Sequence, residues 1–304
     1  MLDNSANDKN AVRPVRSEDP MVELDISAAE VAAGALSPAH RRAAVEALTG
    51  DGLVVLNNVV DRAHLDILAA KMDEDIAAIL RLETIPYQFV VGHTQHDPPP
   101  CEPYLFRDIV CNDLVVDVTR ALLGEGVTNT FYSGNTNLPG SGDQPVHVDS
   151  GQLWPGLEQA HPACQVVVNI SPIDVGPENG STEVWLGSHL DTAMSVDMPS
   201  LVVPAENVVA RRQQHPPLQP RIKKGGVLIR DIRLWHRGVP NTSNRARPMI
   251  AMIHQCRWMG GGSLPLPVGA GVYFAHQHLN TPVHAVDGPI DYLGRHKPHD
   301  FKPD

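Results

Sequence analysis

The chain lacks several features that would assign it at a glance, and each absence removes a class of function. Its four cysteines, Cys101, Cys111, Cys164 and Cys256, show no Cys-x-x-Cys spacing. No disulfide framework or cysteine zinc site is expected, and they read as free thiols of a reducing cytoplasm, with Cys164 and Cys256 in core strands. There is no run of lysine or arginine, and the net charge is −11 over 304 residues. That balance argues against nucleic acid and anionic membranes as partners. No apolar stretch reaches transmembrane length, and the N-terminal residues form no apolar signal segment. No internal repeat is visible either. The expectation is a soluble, cytoplasmic protein acting on a small molecule, with a homodimer left open as its assembly.

What is present has two textures. Residues 1–20 are polar and proline-containing and read as a flexible lead-in. The remainder, 21–304, is long enough for one large domain. Helices are expected from Pro38 to Leu48, from an Asp61 cap to about Leu80, and from an Asn112 cap to Leu123 before Gly124. Between the first two, Leu53–Leu56 reads as a strand. From about residue 125 short apolar strands alternate with Gly, Pro and Asn turns: Thr128–Ser133, Val146–Asp149, Cys164–Ile170, Gly226–Ile232 and Pro248–Trp258. Pro177-Glu-Asn-Gly180 reads as a turn. This texture predicts a mainly β protein with flanking helices, a jelly roll of cupin type, with its core over about 125–260. Residues after about 260 form an extension whose last part, from about Thr281, hugs the surface.

His147 and Asp149 stand two apart in Gln-Pro-Val-His-Val-Asp. On extended backbone, positions i and i+2 share a face, so an imidazole and a carboxylate can converge on one ion. His236, arriving from a distant strand in Leu-Trp-His-Arg-Gly, completes a two-histidine, one-carboxylate face. That donor set leaves half of an octahedral iron site open. His-x-Asp alone is weak in a chain with 15 histidines; Arg247 strengthens it. Arg247 starts a strand in which Met249, Ala251 and Ile253 share its parity. A guanidinium at the mouth of such a face calls for a buried anion, and a carboxylate matches its fork. In an iron oxygenase that carboxylate is the distal one of 2-oxoglutarate. Arg245 has the same parity but lies in the polar loop, and is the competing candidate.

Several segments resemble the phytanoyl-CoA dioxygenase family of Fe(II)/2-oxoglutarate oxygenases. They are Asp51-Gly-Leu-Val-Val-Leu-Asn-Asn-Val-Val60, His147-Val-Asp149, Pro177-Glu-Asn-Gly-Ser-Thr-Glu-Val-Trp-Leu-Gly-Ser-His189, Gly225-Gly-Val-Leu-Ile-Arg-Asp231, His236-Arg-Gly and Arg247. The resemblance runs from about residue 45 to 258. It implies a double-stranded β-helix, with His147, Asp149 and His236 as the catalytic iron ligands and Arg247 as the 2-oxoglutarate partner. It also implies O2 as co-substrate and decarboxylation of 2-oxoglutarate to succinate. Related halogenases carry a small residue at the carboxylate position, so Asp149 implies oxygenation or desaturation rather than halogenation. Many relatives place a hydroxyl residue two positions after the distal histidine; here it is Gly238, so that contact to the cosubstrate is either missing or replaced by Thr242 or Ser243.

Further site residues are expected from strand placement. Gln144 and Asn135 are candidates for 2-oxoglutarate, and Trp154 and Asn169 for the substrate. His189 reads as structural. His93 and His96, like His276 and His278, lack ligand-spaced cysteine or carboxylate and read as solvated loop histidines rather than zinc ligands. The irregular segments Gln88–Pro103, Leu153–Pro162, Val196–Gln219 and Met259–Gln277 are expected to roof the pocket. The expected activity is oxidation of a small organic molecule of natural-product or lipid metabolism, by hydroxylation, desaturation or epoxidation. Two alternatives stay open: a cupin-like metal enzyme not using 2-oxoglutarate, and a non-catalytic jelly-roll binding module.

Overall fold

The computed structural model describes residues 21–299; the flexible lead-in expected over 1–20 lies outside the described residues. In chain order the strands are β1 (Glu23–Asp25), β2 (Leu53–Asn57), β3 (Tyr87–Gln88), β4 (Val90–Gln95), β5 (Val127–Asn137), β6 (Gln165–Ile170) and β7 (Glu183–Val184). They continue with β8 (Val227–Asp231), β9 (His236–Arg237), β10 (Arg247–Gln255), β11 (Leu264–Pro267), β12 (Leu279–Asn280) and β13 (Val283–Val286). The helices are α1 (Ala28–Ala33), α2 (Pro38–Gly50), α3 (Arg62–Ile79), α4 (Arg107–Val110), α5 (Asp113–Leu123) and α6 (Ala205–Gln214).

Caps set the long helices where the sequence places them. The Asp61 side chain accepts from the Ala63 N–H, and Asn112 accepts from Leu114 and Val115. Period-two alternation then builds the large sheet, ordered β1-β2-β8-β6-β10-β5-β4-β3 with β12 on β5. On its outer face Val166, Val168 and Ile170 of β6, Val227 and Ile229 of β8, and Ile250 and Met252 of β10 enter the main core. There they share a cluster with Leu48 of α2, Leu65 and Leu68 of α3, and Val115 and Val118 of α5. Each such burial contributes about 1.5–3 kcal/mol. The intervening residues, Val167, Asn169, Leu228, Arg230, Met249, Ala251 and Ile253, face inward and line a cavity.

The opposing sheet is made of fragments. β7 pairs with β9, and single bridges extend the pair: His147 to both His236 and Val202, and Val184 to Leu218. Behind it Val146, Val148, Trp185, Met194, Val203 and Trp235 form a second core cluster. Two sheets facing one another across a cavity make this a double-stranded β-helix with flanking helices. The expected strand Val146–Asp149 is corrected to extended backbone with a bridge at His147 alone. On one side its hydrogen bonds go to a loop, from Val148 N–H to Leu201 O at 3.0 Å and from Val203 N–H to Val146 O at 2.8 Å; on the other, His147 pairs with His236 of β9. The i, i+2 argument survives this. Val146 and Val148 turn into the second core while His147 and Asp149 turn into the cavity.

Three further expectations change. The segment Gln88–Pro103 is not all irregular, because β4 pairs with β5 from His93–Asn137 to Gln95–Asn135. His93 and His96 are accordingly buried rather than solvated. Of the four expected roof segments only this one lines the cavity; α6 occupies much of Val196–Gln219. No helix among the described residues is long and apolar enough to cross a membrane. All four cysteines are free, three of them buried.

Candidate active site

The cavity has a volume of about 470 Å³. His147, Asp149 and His236 project into it with ligand atoms all within 4.8 Å of one another. Backbone pairing sets this convergence: His147 N–H donates to His236 O at 2.9 Å, and His236 N–H to His147 O at 3.0 Å. The two rings lie 4.3 Å apart between centroids. His147 Nδ1 lies 2.9 Å from Pro145 O, and His236 Nδ1 lies 2.9 Å from Leu234 O. A carbonyl only accepts, so each Nδ1 carries the proton and each Nε2 lone pair is left for a metal. Burial, with His236 alongside, pushes the His147 imidazole down to about 3. It is a neutral donor near neutral pH, as ligation requires.

Asp149 supplies the carboxylate. Arg230 Nη2 donates to its Oδ2 at 2.5 Å, while Oδ1 lies 3.5 Å from His236 Nε2. Burial works to raise the Asp149 carboxyl, but Arg230, His236 and His147 outweigh it and hold it well below the usual carboxylate range. Two imidazole nitrogens and one anionic oxygen on one side of a cavity suit a divalent iron and leave its other positions open.

Arg247 lies at the far end of the inner face, 2% exposed. Its Nη2 donates to Gly180 O at 2.9 Å, and its Nε has no hydrogen-bond partner. Gly180 closes the Pro177–Asn179 turn at φ 71°, and a β-carbon there would run into the Asn137 side chain. Only glycine lets that carbonyl approach the guanidinium. No carboxylate among the described residues forms an ion pair with Arg247. Burial alone pushes the guanidinium down to about 10, so it remains a cation near neutral pH. Arg245 is 71% exposed at its side chain and lies 3.6 Å from Asp73; of the two arginines, Arg247 lines the cavity and Arg245 does not.

A model of the phytanoyl-CoA dioxygenase (PhyH) family matches residues 48–249. The chain belongs to that family. By class it is a 2-oxoglutarate-dependent non-haem iron dioxygenase, and the His-Asp-His triad fits the iron that the family implies. Solved structures share the fold. AviO1 from Streptomyces viridochromogenes Tue57 aligns at 21% identity and TM-score 0.55, over 75% of this chain and 100% of that one. EvdMO1 aligns at 20% identity and TM-score 0.53, over 71% of this chain and 49% of that one. SnoK, a non-heme alpha-ketoglutarate-dependent carbocyclase from nogalamycin biosynthesis, aligns at 18% identity and TM-score 0.55, over 73% of this chain and 84% of that one.

The remaining candidates divide. Gln144, Asn135 and Asn169 line the cavity. The Gln144 amide is committed to backbone, donating to Gln88 O at 2.9 Å and accepting from Gly238 N–H at 2.8 Å. Thr242 is corrected: it is exposed, outside the cavity lining, with its hydroxyl donating to Glu178 O at 3.0 Å. Ser243 likewise turns to Asn241 and Arg245. Trp154 is also corrected. It is 53% exposed, absent from the lining, and packs edge-on against His161. His189 is buried away from the cavity, with Nε2 donating to Thr49 O at 3.1 Å.

Sequence reasoning missed Arg230, His93 and His299, which also line the cavity. For Arg230 a signal existed: within Val-Leu-Ile-Arg-Asp it has the parity of Leu228, and an arginine inside an apolar strand needs a partner. For His299 there was none, because a tail residue's contact with the cavity depends on the whole fold.

Proposed function

We propose that the cavity holds Fe(II) on His147 Nε2, His236 Nε2 and the Asp149 carboxylate, and 2-oxoglutarate with its distal carboxylate on Arg247. The reaction is oxidation of a C–H or C=C group of a small organic substrate, by hydroxylation, desaturation or epoxidation. When bound, iron and 2-oxoglutarate activate O2 at the cost of decarboxylating the cosubstrate to succinate. The chain's own residues orient and exclude. Pro145 O and Leu234 O fix both imidazoles in the metal-binding tautomer, and Arg230 holds the Asp149 carboxylate ionised. Phe89 packs on the His147 ring at 4.5 Å and shields it from bulk water. Val167, Leu228 and Ile253 give the inner wall an apolar surface on which a hydrocarbon portion of the substrate can lie.

One observation carries this reading: Arg247 is a buried cation with no carboxylate partner among the described residues, on the same cavity as the triad. A buried charge without a counterion is costly, so a ligand anion is called for. The test is succinate release from 2-oxoglutarate in the presence of Fe(II) and O2, without added substrate. Slow uncoupled turnover that disappears in Asp149→Ala supports the proposal. Turnover equal in the two proteins refutes it.

A further inference from the structure

Arg230 is not accounted for by its contact with Asp149. It stands on β8 with its side chain 8% exposed, Nη2 on Asp149 Oδ2 at 2.5 Å, and Nη1 without any hydrogen-bond partner. On the neighbouring strand β6, Asn169 is also buried and its Nδ2 donor is likewise unpartnered. The ladder aligns Arg230 with Val167 and Leu228 with Asn169, so Arg230 and Asn169 are diagonal neighbours on the inner face. Both form part of the cavity wall. Two adjacent buried donors without acceptors call for acceptor oxygens from a ligand.

The charge of the wall says which kind. Among the described residues Asp149 is the only acidic one lining the cavity, against two arginines, Arg230 and Arg247. Iron(II) and the 2-oxoglutarate dianion cancel one another, and the ligand histidines bind metal in their neutral form. One unit of positive charge therefore remains after both have bound. Arg247 and Arg230 start from well-separated positions on the inner wall. Arg230 aligns through Val167 with Ile253, which lies six residues beyond Arg247 on β10, about 20 Å along the strand.

We infer that Arg230 Nη1 and Asn169 Nδ2 form a second anion subsite, which receives the carboxylate of the organic substrate. The inference rests on the oxygenase reading above and names its substrate class: a carboxylic acid carrying an apolar body. Val167, Leu228 and Ile253 lie beside the two donors and would contact that body. Arg230 then has two tasks, holding the metal-ligand carboxylate with one nitrogen and the substrate carboxylate with the other.

The test uses the full chain loaded anaerobically with Fe(II) and 2-oxoglutarate. It is titrated with octanoate and 3-phenylpropanoate and, in parallel, with their methyl esters. Binding is read by calorimetry and by perturbation of the iron–2-oxoglutarate absorption band. The expected result is that the acids bind about ten-fold or more tightly than the esters. Asn169→Asp places a carboxylate beside Arg230 and is expected to abolish acid binding while the band persists. Arg230→Gln keeps an amide donor for Asp149 and is expected to bring acid affinity down to that of the esters. Should Arg230→Gln fail to fold or to bind iron, Asn169→Asp still decides. Esters binding as tightly as acids, no acid binding, or acid binding undiminished in Asn169→Asp overturns the subsite while leaving the oxygenase reading standing. Absence of the band in the unsubstituted protein strikes the oxygenase reading instead.

Discussion

The His93 imidazole fills the space that any side chain at position 238 would need. A β-carbon built on Gly238 runs into His93 Cε1 and Nδ1 and into Gln144 Oε1. His93 is fixed there by its Nε2, which donates to Gly142 O at 2.7 Å. The hydroxyl residue expected after the distal histidine is therefore absent because β4 brings an imidazole into its place. Gly238→Ser is expected to destabilise the fold by about 1–3 kcal/mol through overpacking. His93→Ala in the same chain should recover most of that loss. Urea unfolding of the two single variants and the double gives the coupling directly, and strict additivity would contradict the steric account.

Arg247 and Arg245 are separated by burial, and their substitution should separate them in function. Arg247→Met removes a charge-assisted contact in a buried site. It is expected to raise the 2-oxoglutarate concentration for half-maximal binding by about ten- to hundred-fold. Arg245→Met should leave it unchanged, since that side chain is 71% exposed and turned to Asp73. Calorimetric titration of both variants checks this, and equal effects would undo the assignment.

The tail from Arg295 to His299, whose last residue lines the cavity, is tied down by a clamp that should respond to acid. Asp97, 2% exposed at its side chain, is held by Arg295, by His296 Nε2 at 2.8 Å and by the Ser133 hydroxyl. Beyond it, His299 N–H donates to Tyr87 O at 2.8 Å, and Phe89 N–H to His299 O at 2.9 Å. Burial works to raise the Asp97 carboxyl, but His296, Ser133 and Arg295 together lower it. A carboxylate with a depressed folded value stabilises fully above its unfolded value, near 3.9, and loses that stability as pH falls through the folded one. The clamp is therefore complete at neutral pH. Asp97→Asn is expected to weaken it by about 2 kcal/mol, because Arg295 is partly exposed. Faster amide exchange at residues 295–299 is the readout; unchanged protection would show that the tail is held otherwise.

Two histidines outside the metal centre predict a second pH effect with a different window. Burial pushes His96 down to about 4 and His254 down to about 3. Below the unfolded value near 6.5 the unfolded chain takes up protons that the folded chain refuses. Stability should fall as pH drops from about 6.5, by up to about 1.4 kcal/mol per pH unit for each histidine. His254→Gln keeps a side chain able to bond Thr119, which now lies 3.0 Å from Nδ1. It should make the dependence shallower in urea unfolding between pH 7 and pH 5. An unchanged slope would contradict it.

The outer sheet face and the helices were legible in the sequence because their signals are local. Asp61 and Asn112 cap where a short polar residue precedes an apolar rhythm, and β6, β8 and β10 alternate every second residue. The parity of Arg247 with Met249, Ala251 and Ile253 was enough to put all four on one cavity wall. The second sheet was less legible, since its rungs are single bridges supplied by loops around Val202 and Leu218. His93 and His96 were misjudged because β4 is short, polar and glycine-containing, and its burial comes from pairing with β5 rather than from its own composition. Trp154 and Thr242 follow or precede ligand residues closely in sequence, yet the chain turns outward at both.

The central claim is that one cavity binds iron and 2-oxoglutarate together. The most direct measurement is anaerobic titration of metal-free protein with Fe(II) and then 2-oxoglutarate, following the visible charge-transfer absorption of the chelated cosubstrate. The band is expected with the unsubstituted protein and is expected to vanish in His236→Ala. Iron binding without the band, no iron binding at all, or a band undiminished in His236→Ala would contradict the assignment.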